Sequence, residues 1–273
     1  VLQSGAAIES AYISYETHGG LNADRSNAIV YPTWYTGLHE DNRGAIASGK
    51  ALDPERYFII VPDMFGNGLS SSPSNTPAPH DCSRFPLVTP YDNVIAQQRL
   101  CSEQFELSEL KLVVGYSMSA QQAFHWGALF PDMVRPIAPI CGSSKTSTHN
   151  WLFLEGVKRA LTADENWANG DYDEPPEAGL RAFTTVYASW ALSQAGYREG
   201  IHLKLAGQNF ESMSDFLGFF HGIFSRHDAN NLLAMLATWQ EADVSKHTKF
   251  AGDWAAALGA IRCPAIVMPS QTD

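Results

Sequence analysis

Residues Leu112 to Trp126 read L-V-V-G-Y-S-M-S-A-Q-Q-A-F-H-W. An apolar stretch runs into Gly115, Ser117 follows two residues later, and a helix-forming run begins at once. A serine at a sharp turn between strand and helix has its hydroxyl pushed out of the sheet edge, where it can act as a nucleophile. Its Oγ would stand at the N-terminus of the following helix, whose dipole favours developing negative charge. The amide of Met118 would point into the same space as one oxyanion donor. Small residues two positions either side keep such a turn from clashing, and the usual pattern is G-x-S-x-G. Here Ser119, small but carrying a Cβ, takes the last place. The alternative is a serine that merely caps a helix after a strand; the strand context and the other segments favour the nucleophile.

A serine nucleophile needs a base and an acid that orients it. With this turn the chain order is serine, then Asp or Glu after a later strand, then histidine. Asp273 follows Ile266-Val267-Met268 and a short polar loop, so it is either that acid or an ordinary turn aspartate. The nine histidines all precede Asp273. His125, eight residues past Ser117, is carried away from the turn and reads as a helix-face residue. His227 in S-R-H-D-A-N is the best alternative within the chain. The order itself places the catalytic histidine beyond residue 273, in a further segment or a separate chain.

Several elements must hold these groups in place. Asn27–Tyr31, Tyr57–Val61 and Leu112–Val114 are short apolar runs suited to strands buried on both faces of a parallel sheet. A helix is expected from Thr89-Pro90 to about Leu107, with Thr89 as N-cap and Pro90 in the first turn. Strands alternating with helices predict an α/β fold. After Gly142 the pattern changes. Trp151–Leu161 and Ala229–Thr238 have helical spacing, Asn169–Pro176 is an acidic loop, and a strand pattern returns at Ala260–Pro269. This divides the 273 residues into a core, 1–142 with 254–273, and a helical cap, 143–253. Caps close over sites and exclude water.

Composition narrows the function classes. Apolar residues are 45% and charged residues 17%, a globular balance. The net charge of −11 gives no general attraction to nucleic acid or anionic lipid. No apolar run approaches the ~20 residues that span a bilayer, and the start lacks the regions of a signal peptide. Cys82, Cys101, Cys141 and Cys263 are scattered, with no C-x-x-C. They read as reduced thiols of a cytoplasmic protein without a metal or redox site.

Longer stretches carry a resemblance. L-Q-S-G-A at the start, Y-E-T-H-G-G-L-N-A-D-R-S-N-A-I-V (Tyr15 to Val30), P-T-W-Y-T-G-L-H (Pro32 to His39), D-M-F-G-N-G-L-S-S-S-P-S (Asp63 to Ser74), G-Y-S-M-S-A-Q-Q-A (Gly115 to Ala123), R-H-D-A-N-N-L-L (Arg226 to Leu233) and Pro264 to Asp273 run through nearly the whole chain. Together they resemble the homoserine O-acetyltransferase family, serine enzymes of the α/β-hydrolase fold. The resemblance implies Ser117 as nucleophile, Asp273 as triad acid, and the amides of Tyr35 and Met118 as the oxyanion hole. It implies a homodimer formed through the cap and no bound cofactor, with acetyl-CoA as co-substrate. One departure stands out. An ungapped alignment of Gly179 to Ser193 puts Thr184 and Ala191 where the family holds homoserine with an arginine and a tyrosine; Arg181 and Tyr187 are out of register. An acceptor other than homoserine is therefore expected.

The expected reaction is ping-pong acyl transfer from acetyl-CoA to a small-molecule hydroxyl. The aromatics Trp151, Phe153, Trp190, Phe216, Phe219 and Phe220 serve either to keep water out or as plain core. Ester hydrolysis through the same acyl-serine is the alternative, and a non-catalytic binding protein on this fold is a third.

Overall fold

The computed structural model describes residues 1–205 and 207–270. Its sheet is built from β1 (Tyr15–His18), β2 (Ala28–Val30), β3 (Phe58–Pro62), β4 (Leu112–Tyr116) and β5 (Ile137–Ile140), in the order β1-β3-β2-β4-β5. Strands β3, β2, β4 and β5 run parallel, and β1 is antiparallel on the edge beside β3. Strands β2 and β3 are buried throughout, as their unbroken apolar runs require. The edge strand β1 (Y-E-T-H) alternates between half-buried and exposed residues.

The segment expected as a last strand lies parallel against β5. Ile266 N–H donates to Ile137 O and Met268 N–H to Pro139 O, both at 3.0 Å, and Cys141 N–H donates to Met268 O at 2.7 Å. Paired Cα positions occur only at Ala265 and Met268. The ladder is interrupted because β5 reads I-A-P-I, and Pro139 brings no N–H.

The helices are α1 (His39–Asn42), α2 (Pro90–Arg99), α3 (Met118–Leu129), α4 (Thr148–Thr162), α5 (Glu177–Ala188), α6 (Gln194–Arg198), α7 (Met213–Phe224), α8 (Ala229–Gln240) and α9 (Trp254–Gly259). Thr89 caps α2 as expected: its Oγ1 accepts from Asp92 N–H while the Asp92 carboxylate accepts from Thr89 N–H. The α-helix ends earlier than its sequence suggests, at Arg99, and widens into a π turn over Leu100–Gln104. Among the described residues no helix is long and apolar enough to cross a membrane.

One apolar core lies under α2 and α3, centred on Trp126, Ile60, Val113 and Ile137. A second joins α4, α5, α7 and α8 through Leu154, Phe183, Phe216 and Leu236, and reaches Tyr35, Met64 and Met118. The helical block therefore rests on the C-terminal edge of the sheet. Because β3, β2, β4 and β5 are parallel neighbours, the loops after them emerge side by side beneath it, where α/β sheets commonly bind ligands.

The tightest packing surrounds the turn after β4. A Cβ on Gly115 would run into the Ser119 carbonyl and come within 2.6 Å of Ala120 N. A Cβ on Gly142, just after β5, would strike the Ser117 carbonyl and approach Ala120 Cβ to 2.6 Å. Gly142→Ala is expected to cost about 2 kcal/mol by overpacking, lowering the thermal midpoint by several degrees. An unchanged melting curve would show that the turn yields.

Candidate active site

Ser117 stands between β4 and α3 with φ 58° and ψ −123°. Positive φ is costly for a residue with a Cβ, of order 1–3 kcal/mol, and persists only where the surroundings impose it. Here they do. Ser117 N–H donates to Ile140 O and its carbonyl accepts from Ala120 N–H, both at 2.9 Å. The glycines at 115 and 142 leave the only room the turn has. Ser117 is half-buried, and Met118 is the first residue of α3, so its N–H has no carbonyl one turn back to pair with.

Ser119 replaces the usual second glycine, and the structure gives its hydroxyl a task. Its Oγ donates to Pro32 O at 2.7 Å, in the loop that follows β2. Three residues further along α3, Gln122 Nε2 donates to Thr33 O at 3.0 Å. Gln122 Oε1 accepts from Gln97 Nε2 at 2.6 Å, and Gln97 Oε1 accepts from Trp126 Nε1 at 2.9 Å. A relay of buried amides thus ties α2, α3 and the 32–36 loop together.

That loop carries Tyr35. Gly37 N–H donates to Trp34 O at 2.8 Å, closing a turn whose third residue, Thr36, has φ 64°. The Tyr35 ring points into the helical block, stacks with Tyr187 at 5.8 Å and donates its hydroxyl to Leu232 O. Burial holds its phenol well above the ordinary pKa, so it stays protonated. Tyr35 and Met118 share one core cluster, and among the described residues neither amide has a hydrogen-bond acceptor.

The loop after β3 is a polar web. Asp63, fully buried, accepts from the His39 amide (2.9 Å), His39 Nδ1 (2.6 Å) and Asn67 Nδ2 (2.8 Å). The R-H-D-A-N-N stretch of the block then fastens both loops. Arg226 Nη2 and His227 Nε2 lie 2.8 and 2.9 Å from Thr36 O. Arg226 also forks onto Asp41. Asp228 caps α8. Asn231 exchanges hydrogen bonds with Ser74, accepting from its N–H and donating to its Oγ. Burial works against the Asp41 carboxylate, but the Arg226 hydrogen bonds and the Leu38 amide outweigh it and hold it below the usual range.

The histidines divide as follows. His125 is buried on α3 with Nδ1 2.8 Å from Gln121 O, a helix-face residue as read from the sequence. His227 is engaged with Thr36 and Arg226 rather than Ser117. Burial, and for His227 also the Arg226 charge, pushes both below the ordinary histidine pKa. Asp273, the expected acid, lies outside the described residues. Two open cavities, about 650 Å³ beside Thr89, Lys246 and His247 and about 270 Å³ beside Lys145, Trp151 and Asp243, are lined by none of Ser117, Tyr35 and Met118. Backbone geometry, not cavity size, marks the site.

Sequence reasoning missed the Asp63–His39 pair, the amide relay and the Arg226 clamp. The adjacent Gln121-Gln122 pair in a mostly apolar helix was a usable signal for the relay. The Asp63–His39 pair joins side chains 24 residues apart and the Arg226 clamp ends on a backbone carbonyl, so neither carries a local sequence signature.

The structure gives two expectations. Gln122→Leu leaves the Gln97 amide and Thr33 carbonyl unpaired, and is expected to lower unfolding stability by about 1–3 kcal/mol; urea unfolding measures it. A histidine whose folded pKa is depressed leaves the unfolded chain binding more protons as pH falls. Stability from His125 is therefore full above its unfolded value of ~6.5 and is lost as pH drops through the lower folded value. His125→Asn should flatten the loss of stability between pH 7.5 and 5; an unchanged slope would contradict this.

Residues 31–214 match the alpha/beta hydrolase fold family. The chain is 41% identical, over its whole length and 78% of the relative's, to an ethyl acetate hydrolase of Pseudomonas veronii. It superposes with TM-score 0.94 and 39% identity on an acetylester hydrolase from Corynebacterium glutamicum, covering 100% of this chain and 78% of that one. A homoserine O-acetyltransferase of Zymomonas mobilis is 31% identical over 83% of this chain and 65% of its own.

Proposed function

Within the alpha/beta hydrolase fold family, to which the chain belongs, we propose a carboxylic ester hydrolase that cleaves acetate esters of small uncharged alcohols. The observation that carries this reading is the Ser117 backbone, held at φ 58° at the head of α3 with the Tyr35 loop fastened beside it. Ser117 Oγ attacks the ester carbonyl. The Met118 and Tyr35 amides receive the oxyanion, each such donor contributing about 3 kcal/mol. The alcohol leaves, water attacks the acyl-serine, and acetate departs. Asp273 is the acid on this reading, and a histidine downstream of it carries the proton.

Transfer from acetyl-CoA would use the same acyl-serine with a different acceptor. Two features favour water. Thr184 is buried and spends its hydroxyl on Leu180 O at 2.8 Å, and Arg181 is exposed and paired with Glu177, so neither offers a cation to an acceptor carboxylate. The aromatics expected to keep water out are used elsewhere: Phe216 and Phe220 pack against each other at a tilt of 59° within the block, Phe153 stacks on Trp190, and Trp151 lies on the surface. The likeness to acetate-ester hydrolases points the same way.

The test is hydrolysis of ethyl acetate and p-nitrophenyl acetate, with and without added alcohols, and of acetyl-CoA with homoserine. Acetate release insensitive to alcohols is expected, with Ser117→Ala losing about 10³-fold or more in kcat. Predominant formation of a new ester would favour transfer. Absence of a Ser117 adduct after a fluorophosphonate, read by mass spectrometry, would overturn the acyl-enzyme itself.

A further inference from the structure

The Tyr35 N–H can serve as an oxyanion donor only if its peptide plane is fixed. That plane also contains Trp34 C=O, which in a trans peptide points opposite to the N–H. Trp34 O is occupied by Gly37 N–H at 2.8 Å, so the direction of the Tyr35 N–H follows from the closure of the 34–37 turn.

The turn places its third residue at positive φ, a position that normally calls for glycine or asparagine. Here it is Thr36, a β-branched residue at φ 64°, in the region where such a side chain is a genuine outlier. Left alone, Thr36 would relax toward negative φ and open the turn. What holds it is its own carbonyl, which accepts from Arg226 Nη2 at 2.8 Å. Arg226 is itself braced by its bidentate pair with Asp41 at the start of the next helix, and Asn67 Nδ2 donates to the neighbouring Gly37 carbonyl at 3.2 Å.

We infer that Arg226 is a positioning residue of the oxyanion hole: from the helical block it clamps the Thr36 carbonyl, keeps Thr36 left-handed and so aims the Tyr35 amide. The inference rests on the esterase reading above. Arginine suits the task because one planar fork reaches a backbone carbonyl and a carboxylate together, which a lysine ammonium cannot do with the same rigidity.

The experiment compares wild type, Ser117→Ala, Arg226→Met, Arg226→Lys and the double variant Arg226→Met with Thr36→Gly, each assayed with p-nitrophenyl acetate after thermal melting shows it folded. Arg226→Met is expected to lose about 10- to 100-fold in kcat, less than outright removal of an oxyanion donor, with KM changed less than about threefold since the lost interaction belongs to the transition state. Arg226→Lys should fall between. Glycine adopts positive φ without restraint, so Thr36→Gly should restore at least about fivefold of the kcat lost in Arg226→Met. If Arg226→Met does not fold, Arg226→Lys with and without Thr36→Gly carries the same comparison. A folded Arg226→Met with wild-type kcat, or a loss that Thr36→Gly leaves untouched, overturns the inference alone. A wild-type rate no higher than that of Ser117→Ala overturns the esterase reading, and this inference with it.

Discussion

A serine forced to positive φ is the constraint from which the rest of the architecture follows. The conformation is unfavourable for any residue with a side chain, so the chain must leave space for it and then remove its freedom to relax. Gly115 and Gly142 provide the space, since a single added carbon at either would overlap the backbone of the turn. The hydrogen bonds of Ser117 to Ile140 and Ala120 remove the freedom. The sheet order has the same consequence at a larger scale: with β2 and β5 flanking β4, the loops after them emerge on either side of Ser117.

The loops beside Ser117 bury Tyr35 and Met64 in the core of the helical block, and their backbone is held by hydrogen bonds to groups that are already buried. Ser119 and Gln122 reach from α3, Asp63 gathers three donors, and the R-H-D-A-N-N segment reaches down from the block. A buried hydrogen bond contributes only about 1 kcal/mol net, yet removing one partner leaves the other desolvated at a cost of about 1–3 kcal/mol. Such a network adds modest stability while strongly disfavouring other loop conformations. That asymmetry suits a site in which donors must stand in place before substrate arrives.

Much of this was readable from the residues. Strands β2, β3 and β4, the Thr89 cap, the turn at Ser117 and the helical character of the middle of the chain follow from periodicity and composition. The parts that were not readable share a cause. Strand β1 is short and half-exposed, so its pattern carries little signal, and β5 contains a proline that disguises it. The expectation for the Tyr35 amide came through resemblance alone, because a backbone amide has no residue type to betray it. The same holds for the Thr36 carbonyl that Arg226 grips. Ser119 was read as a tolerated substitute for glycine, whereas its hydroxyl ties the start of α3 to the loop beside it.

The fastenings between the helical block and the loops beneath it also limit how the enzyme can breathe. Arg226 holds Thr36, Asn231 holds Ser74, Thr238 donates to Val88 O, and the Tyr35 hydroxyl is bonded to Leu232 O. A block joined at so many points cannot swing away as a hinged cover without breaking the hydrogen bonds that hold the 34–37 turn. The block and the 34–37 turn therefore form one mechanical unit, so a substitution that loosens either is felt by both.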